Sequence, residues 1–331
     1  MTVSTHAAAP VRLDFAGGWT DVPPYSAREG GVVVAAAIQL FAHAEVRTGG
    51  ESYRLVSEDI GATLDLPDTA ALSSESQLPL LRAGLRMLPV GHCTIATRSD
   101  APPGSGLGSS GALDVAIVAA LAAARGEHLD VRSLADLACR LEGIEAGIPG
   151  GRQDQFAAAY GGFLRLDFRD PEARVEPLEI DQAFAAELER RVLLCYTGAS
   201  RFSGATIGRV MRAYESGDAD VARALDGIRA VAEATAETLR AGDLAGFGEL
   251  LSENWRLQQR LDPGMCTPDM ACLEREMRSA GALGGKAAGS GAGGSMFFLA
   301  GDDRRAAIEA VQALGMRLLP VRWAVSGVRP C

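Results

Sequence analysis

Residues 31–47 open on the β-branched run Val32-Val33-Val34 and close on alternating apolar and polar positions. That pattern predicts a strand, because side chains two apart share a sheet face and branched residues suit the pleat. A strand at 52–57 is expected as its hairpin partner. Residues 91–97 also alternate and predict the strand that feeds a glycine-rich loop. Residues 112–124, rich in Ala and ended by Gly126, predict a helix; 134–146, closed by Gly147 and Pro149, predict another. Short strands at 164–168 and 175–180 flank the turn Arg169-Asp-Pro-Glu172. Beyond Gln182 the pattern gives a helix, a strand at 192–196, and three long amphipathic stretches between 203 and 279. A glycine-rich bend at 284–294 then leads into an apolar strand at 295–300, a helix at 303–314 and a closing strand near 316–324. Strands gather in the first half and helices in the second, so the expected class is α+β, with domains 1–188 and 189–331.

The 331 residues are 47% apolar and 22% charged, with a net charge of −10 and no basic block. This balance makes nucleic acid an unsuitable partner, and an anionic ligand would need local arginines and lysines. The first ten residues lack a basic, then apolar, leader, and the longest apolar run, 115–124, is too short to cross a bilayer. The six cysteines are scattered without redox or zinc spacing, which fits reduced thiols in a cytoplasmic protein. Four dispersed histidines form no His-Glu-x-x-His pair, and no Gly-x-Ser-x-Gly elbow occurs.

Candidate chemistry is concentrated in four segments. In 102–113 the loop Pro103-Gly104-Ser105-Gly106-Leu107-Gly108-Ser109-Ser110 precedes the alanine-rich helix. Glycines let a backbone approach a ligand closely, and a helix N-terminus offers unpaired N–H groups and partial positive charge. The segment therefore reads as a phosphate cradle, and without a lysine it is not a P-loop. Residues 289–294 match Gly-x-Gly-x-x-Gly but precede a strand, which is the wrong context for a dinucleotide. They are either a bend for close backbone packing or a second surface near the ligand. In 150–162, Asp154 follows a glycine pair beside Arg152 and two glutamines, as a general base or as the cap of a helix at 155–160. Glu142, on the preceding helix, is a metal-ligand candidate or a solvated charge. In 9–25 a strand at 11–15 ends in Gly17 and Gly18, then Trp19, Thr20 and Asp21, a set suited to a polyol or to a buried tryptophan beside a turn.

Taken in this order, the segments resemble the GHMP small-molecule kinases, the family of galactokinase, homoserine kinase and mevalonate kinase. Residues 102–112 resemble the family's second motif, which wraps ATP phosphates; 285–295 resemble the third and 12–21 the first. Within the family the likeness is greatest to sugar 1-kinases acting on D-glycero-D-manno-heptose 7-phosphate and on L-fucose. It is carried by Ala16-Gly-Gly-Trp-Thr-Asp21, by 150–163 and by 196–201.

The resemblance implies a two-domain α+β fold, with a ribosomal protein S5 domain 2-like N-terminal domain and a ferredoxin-like C-terminal domain. ATP and sugar would share the cleft between them. It implies Asp154 as the catalytic aspartate, Arg12 and Arg152 as charge stabilisers, and residues 103–110 on the ATP phosphates. Ser110 and Glu142 would hold Mg²⁺, and Gly289, Ser290, Gly291 and Gly293 would form the third-motif loop. Gly17, Gly18, Trp19, Asp21 and Gly151 would meet the sugar; a phosphate carried by the sugar would require a basic pocket away from ATP, for which Arg28 and Arg201 are the candidates. The expected activity is transfer of the ATP γ-phosphoryl group to the anomeric hydroxyl of heptose 7-phosphate. L-fucose or another neutral sugar is the alternative acceptor, and a non-catalytic sugar-binding regulator is the other class. A small-molecule partner is expected, with no membrane or nucleic acid; homodimer formation is left open.

Overall fold

The computed structural model describes residues 3–198 and 204–330. The chain runs β1 (Ser4–Ala16), α1 (Tyr25–Arg28), β2 (Gly31–Thr48), β3 (Tyr53–Ser57), β4 (Ala62–Leu66), α2 (Ala71–Ser74), α3 (Pro79–Met87) and β5 (Cys93–Ser99). It continues through α4 (Ser109–Ala124), α5 (Val131–Arg140), α6 (Gln153–Tyr160), β6 (Phe163–Arg169), β7 (Glu172–Pro177), α7 (Gln182–Arg191) and β8 (Val192–Tyr196). Then follow α8 (Gly204–Glu215), α9 (Ala219–Ala241), α10 (Leu244–Gln258), α11 (Pro268–Ser279), β9 (Gly284–Ala287), β10 (Ser295–Leu299), α12 (Arg304–Ala313), β11 (Arg317–Leu319) and β12 (Arg329–Pro330).

The first sheet has the order β12-β1-β2-β5-β3-β4, with β6 on the other half of β2 and β7 beyond it. The 18-residue β2 is long enough to carry β6 along residues 31–36 and β5 along 42–48. The second sheet, β11-β8-β10-β9, is antiparallel throughout, with helices before β9 and between β10 and β11. That is the ferredoxin-like arrangement, and the α+β expectation holds. β12 returns from the chain's end to pair with β1 in the first sheet.

Phe15 joins the two halves. Its ring lies 5.1 Å from Phe247 of α10, 6.1 Å from Phe297 of β10 and 6.0 Å from Trp323, centroid to centroid. Such aromatic clusters bury large apolar areas with edge-on contacts. The β1–β2 register slips between Asp14 and Ala16, and an irregularity of this kind re-aims side chains beside a site. Arg12 and Asp14, two apart on β1, both line the same cavity. α4 is apolar almost all round and is enclosed against β1 and β2, as a helix without a polar face must be.

Several local expectations are corrected. β3 pairs antiparallel with β4 and parallel with β5, not with β2, whose edges are already taken by β1, β5 and β6. β7 begins at Glu172 because only Asp170 and Pro171 separate it from β6. The helix expected over 134–146 ends at Arg140 and passes into a π-helical turn, Leu141–Glu145. The three helical stretches are four helices, split by Asp caps at 218 and 243 and by the Thr267 cap. The closing strand is short, 317–319.

Candidate active site

Where the two halves meet lies a cavity of about 460 Å³, walled by β1, the 17–22 turn, the 104–110 loop, residues 142–154 and the 289–290 loop. Gly104, Gly106 and Gly108 all have left-handed backbones, with φ of 67°, 78° and 74°. A side chain at Gly106 would put Cβ 2.3 Å from the Ala288 carbonyl oxygen, and one at Gly108 would sit 2.9 Å from the Asp154 carboxyl carbon. The second-motif loop is thus pressed between the 288–294 bend and α6, and only glycine fits. The 288–294 bend is therefore both a close-packing device and part of the cavity wall.

α4 starts at Ser109, earlier than expected, with Gly108 at its cap position and no side-chain cap. Its first N–H groups keep their donor capacity, and the buried Ser105 and Ser109 hydroxyls have no partner among the described residues. An uncapped helix start, two orphaned hydroxyls and a glycine cradle fit a chain of phosphates.

Asp154 lies in the first turn of α6 and is not its cap. The Gln153 N–H at the helix start donates instead to Asp21 Oδ2 at 2.9 Å, and Gln153 Nε2 donates to Asp21 Oδ1 at 3.2 Å. Asp154 is left for Arg12, whose Nε and Nη2 reach its Oδ1 at 2.8 and 2.7 Å. Arg12 Nη1 donates to the Gly106 carbonyl at 2.7 Å, and its backbone N–H donates to the Leu107 carbonyl. One guanidinium ties the carboxylate to the cradle, while Asp154 Oδ2 has no hydrogen-bond partner among the described residues.

Asp21 is wholly buried, and burial pushes its carboxyl up to about 6; the Gln153 N–H opposes this, and Asp154 and Asp14 add to it. Glu142 is pushed up to about 7, first by burial and then by Asp154, against hydrogen bonds from Gln155 and Ser110. Gln155 Nε2 donates to Glu142 Oε2 at 2.6 Å and reaches toward Asp114 Oδ2 at 3.4 Å. Burial holds Asp114, one turn after Ser110, far above the usual carboxylate range, with Glu142 adding to the shift. Ser110 and Glu142 thus form an oxygen-donor pair at the mouth of the cradle. This donor set fits Mg²⁺, which binds one or two protein groups plus substrate phosphates.

Several expected site residues stand elsewhere. Arg152 does not line the cavity: its guanidinium binds Asp170 and the Pro171 and Glu172 carbonyls and stacks on Phe168 at 5.2 Å. Its side chain is held by the β6–β7 turn and makes no hydrogen bond or ion pair with Asp154. Arg28 is exposed over the Tyr214 ring at 5.7 Å, also outside the cavity. Arg201 lies outside the described residues. Gly17 packs behind the site, its N–H donating to Asn254 Oδ1 of α10 at 3.1 Å. Gly18, Trp19, Asp21, Gly151, Gly289 and Ser290 line the cavity, whereas Pro103, Leu107, Gly291 and Gly293 do not.

Two cavity-wall features escaped the sequence reading. Asp14 is buried on the cavity wall, and Lys286 Nζ, with no exposed surface, lies 3.2 Å from its Oδ2 and 2.7 Å from its backbone carbonyl. The alternation of β1 could have flagged Asp14 as sharing Arg12's face. Gln258 of α10 adds a second tie, donating to the Gly289 carbonyl at 2.9 Å.

Comparison with known proteins bears on the same residues. The family model described as the GHMP kinases N terminal domain matches residues 71–162, and the GHMP kinases C terminal model matches 235–315. The chain is 30% identical over 306 residues to D-glycero-alpha-D-manno-heptose 7-phosphate kinase of Campylobacter jejuni, covering 87% of each. It is 28% identical to the bifunctional fucokinase/GDP-fucose pyrophosphorylase of Arabidopsis thaliana, over 91% of this chain and 30% of that protein. The crystal structure of a D-glycero-D-manno-heptose 1-phosphate kinase from Bacteroides thetaiotaomicron superposes with a TM-score of 0.79 at 27% identity, over 99% of this chain and 98% of that one.

Proposed function

Because the chain belongs to the GHMP kinases, which are ATP-dependent phosphotransferases, we propose that it phosphorylates the anomeric hydroxyl of a sugar. The observation that carries this reading is the Arg12–Asp154 pair set against the glycine cradle. Phosphoryl transfer needs chiefly positioning and charge stabilisation, with a residue to take or orient the acceptor proton. In our reading, the open Oδ2 of Asp154 accepts that proton as the hydroxyl attacks. Arg12 fixes the carboxylate and stabilises charge beside the cradle. The N–H groups of 104–110 and the Ser105 and Ser109 hydroxyls hold the ATP phosphates. Ser110 and Glu142 would hold Mg²⁺, which would supply charge neutralisation to the phosphates. Residues 1–188 and 189–331 serve as the ATP-binding and C-terminal domains, with the cleft between them.

The acceptor we favour is D-glycero-D-manno-heptose 7-phosphate, giving the 1,7-bisphosphate, on the strength of the heptose-kinase relative. A neutral sugar such as L-fucose is a second reading favoured by the charges of the cavity. Among the described residues lining it, Arg12 is the one cation and is bound to Asp154, whereas Asp14, Asp21 and Glu142 are acids. The Gly17-Gly-Trp-Thr-Asp21 turn also resembles the fucose-type enzymes. ADP release measured with L-fucose, D-mannose, D-galactose and heptose 7-phosphate tests both readings. ADP release with a single sugar identifies the acceptor, and ATP binding with no release from any sugar would overturn the kinase reading.

A further inference from the structure

Asp14 and Trp19 line the cavity, and each carries one buried polar atom without a partner among the described residues. Asp14 is 1% exposed and Trp19 4%, and both line the cavity. Asp14 Oδ1 and Trp19 Nε1 have no hydrogen-bond partner among the described residues. Leaving a buried acceptor and a buried donor unpaired costs more than a hydrogen bond returns, so native proteins rarely keep them without a purpose. The backbone reinforces the point. Trp19 sits at φ 86°, a left-handed conformation that a bulky residue holds only where the surroundings enforce it. At Gly18 a Cβ would lie 2.1 Å from Asp14 Oδ2, so the missing side chain is what makes room for the carboxylate.

We propose that Asp14 is a further acceptor-reading residue beside Trp19, which the family resemblance already assigns to the sugar: Asp14 Oδ1 accepts from one hydroxyl while Trp19 Nε1 donates to another. Lys286 acts through Asp14 as a positioning residue. Its ammonium engages Oδ2 and the backbone carbonyl, which leaves Oδ1 as the free acceptor and offsets the burial of the negative charge. The ligand class follows from the chemistry. An end bearing hydroxyls satisfies both atoms, while a phosphate there would face the Asp14 and Asp21 carboxylates. The acceptor therefore enters this subsite by an uncharged polyol face, and any phosphate it carries lies outside it. This inference rests on the sugar-kinase reading.

Fluorine distinguishes the two hydrogen bonds, since it accepts weakly and never donates. The test uses the full-length protein with the sugar it phosphorylates and with that sugar's monodeoxy and monofluoro analogues. Sugar and ATP KM are taken from ADP release, and affinity from calorimetry with a non-hydrolysable ATP analogue present. At one position, replacement by hydrogen and by fluorine should each raise the sugar KM about 10- to 100-fold, the range for a hydrogen bond to a charged group. At a different position fluorine should be tolerated better than hydrogen. Asp14→Ala should remove the first penalty and Trp19→Phe the second, with the ATP KM unchanged in both. The wild-type pattern alone decides the case if either variant fails to fold. Equal tolerance of fluorine at every position, with turnover intact, would overturn this inference and leave the kinase reading standing. The expected pattern in binding without any ADP release would do the reverse. A protein that neither binds nor turns over any sugar of the panel would overturn both.

Discussion

Arg12 and Asp154, 142 residues apart in sequence, meet through two guanidinium nitrogens on a single carboxylate oxygen, with the third nitrogen on the Gly106 carbonyl. The proposed base and the glycine loop therefore share one rigid fork. Asp154→Asn should retain fold and ATP binding while lowering kcat by roughly two to four orders of magnitude, the range for acid–base assistance. Arg12→Lys should also lower kcat, because an ammonium cannot reproduce the planar fork. Residues that act as a unit are non-additive, so the double variant should be little worse than Asp154→Asn alone. Full additivity of the two losses in a kinetic cycle would show that the pair does not act together.

Gly106→Ala tests whether the cradle is held by backbone contact. Both the φ of 78° and a Cβ 2.3 Å from the Ala288 carbonyl oppose the substitution. It should cost more than ~1 kcal/mol in stability and raise the ATP KM. Gly126→Ala is the control, with φ 74° but nothing within 4 Å of the new Cβ. A Gly106→Ala melting curve no lower than that of the control would contradict the packing of the two loops.

Asp21 links the site to pH. Its carboxyl rises from 3.8 to about 6 on folding, chiefly through burial. Between those values the native protein holds a proton that the unfolded chain has released. Wild-type stability attributable to this group is therefore greatest at low pH and falls by up to about 3 kcal/mol as pH rises through the window. Asp21→Asn cannot release a proton, so its melting temperature relative to wild type should climb between pH 4 and 7. A difference that stays flat across that range would show that the carboxyl is not perturbed by folding.

Arg152 should prove structural. Its guanidinium binds Asp170, which also accepts from Ser26, and two carbonyls of the β6–β7 turn. Arg152→Met is expected to lower stability by about 1–2 kcal/mol through those lost bonds and to leave kcat nearly unchanged. A large loss of kcat with an unaltered melting temperature would return Arg152 to the catalytic group.

The contrast between Arg152 and Asp14 shows where sequence reading reached its limit. Arg152 stands two residues from Asp154, and proximity along the chain suggested shared work. At the start of a helix, however, neighbouring side chains diverge, and this one is captured by the β6–β7 turn. Asp14 and Lys286 are 272 residues apart, and no local pattern announces a pair that exists only when β1 and β9 approach. The same holds for Asn254 and Gln258, helical positions that look ordinary until α10 docks behind Gly17 and Gly289.

Arg12 was named by the resemblance of residues 12–21 to the family's first motif, whereas the α+β class, most strand and helix positions, the glycine cradle and Asp154 as a candidate were determined by the sequence by itself. These depend on short-range rules: side-chain periodicity, the conformational freedom of glycine and the donors of a helix start. Only the tertiary structure decided which charges face the cavity. It gave the cap of α6 to Asp21, freed Asp154 for Arg12, turned Arg152 and Arg28 away, and set Asp14 on the wall over Lys286. The physical reason is that burial and pairing of charge are settled by contacts between segments distant in sequence, where the cost of leaving a group unpaired selects one arrangement.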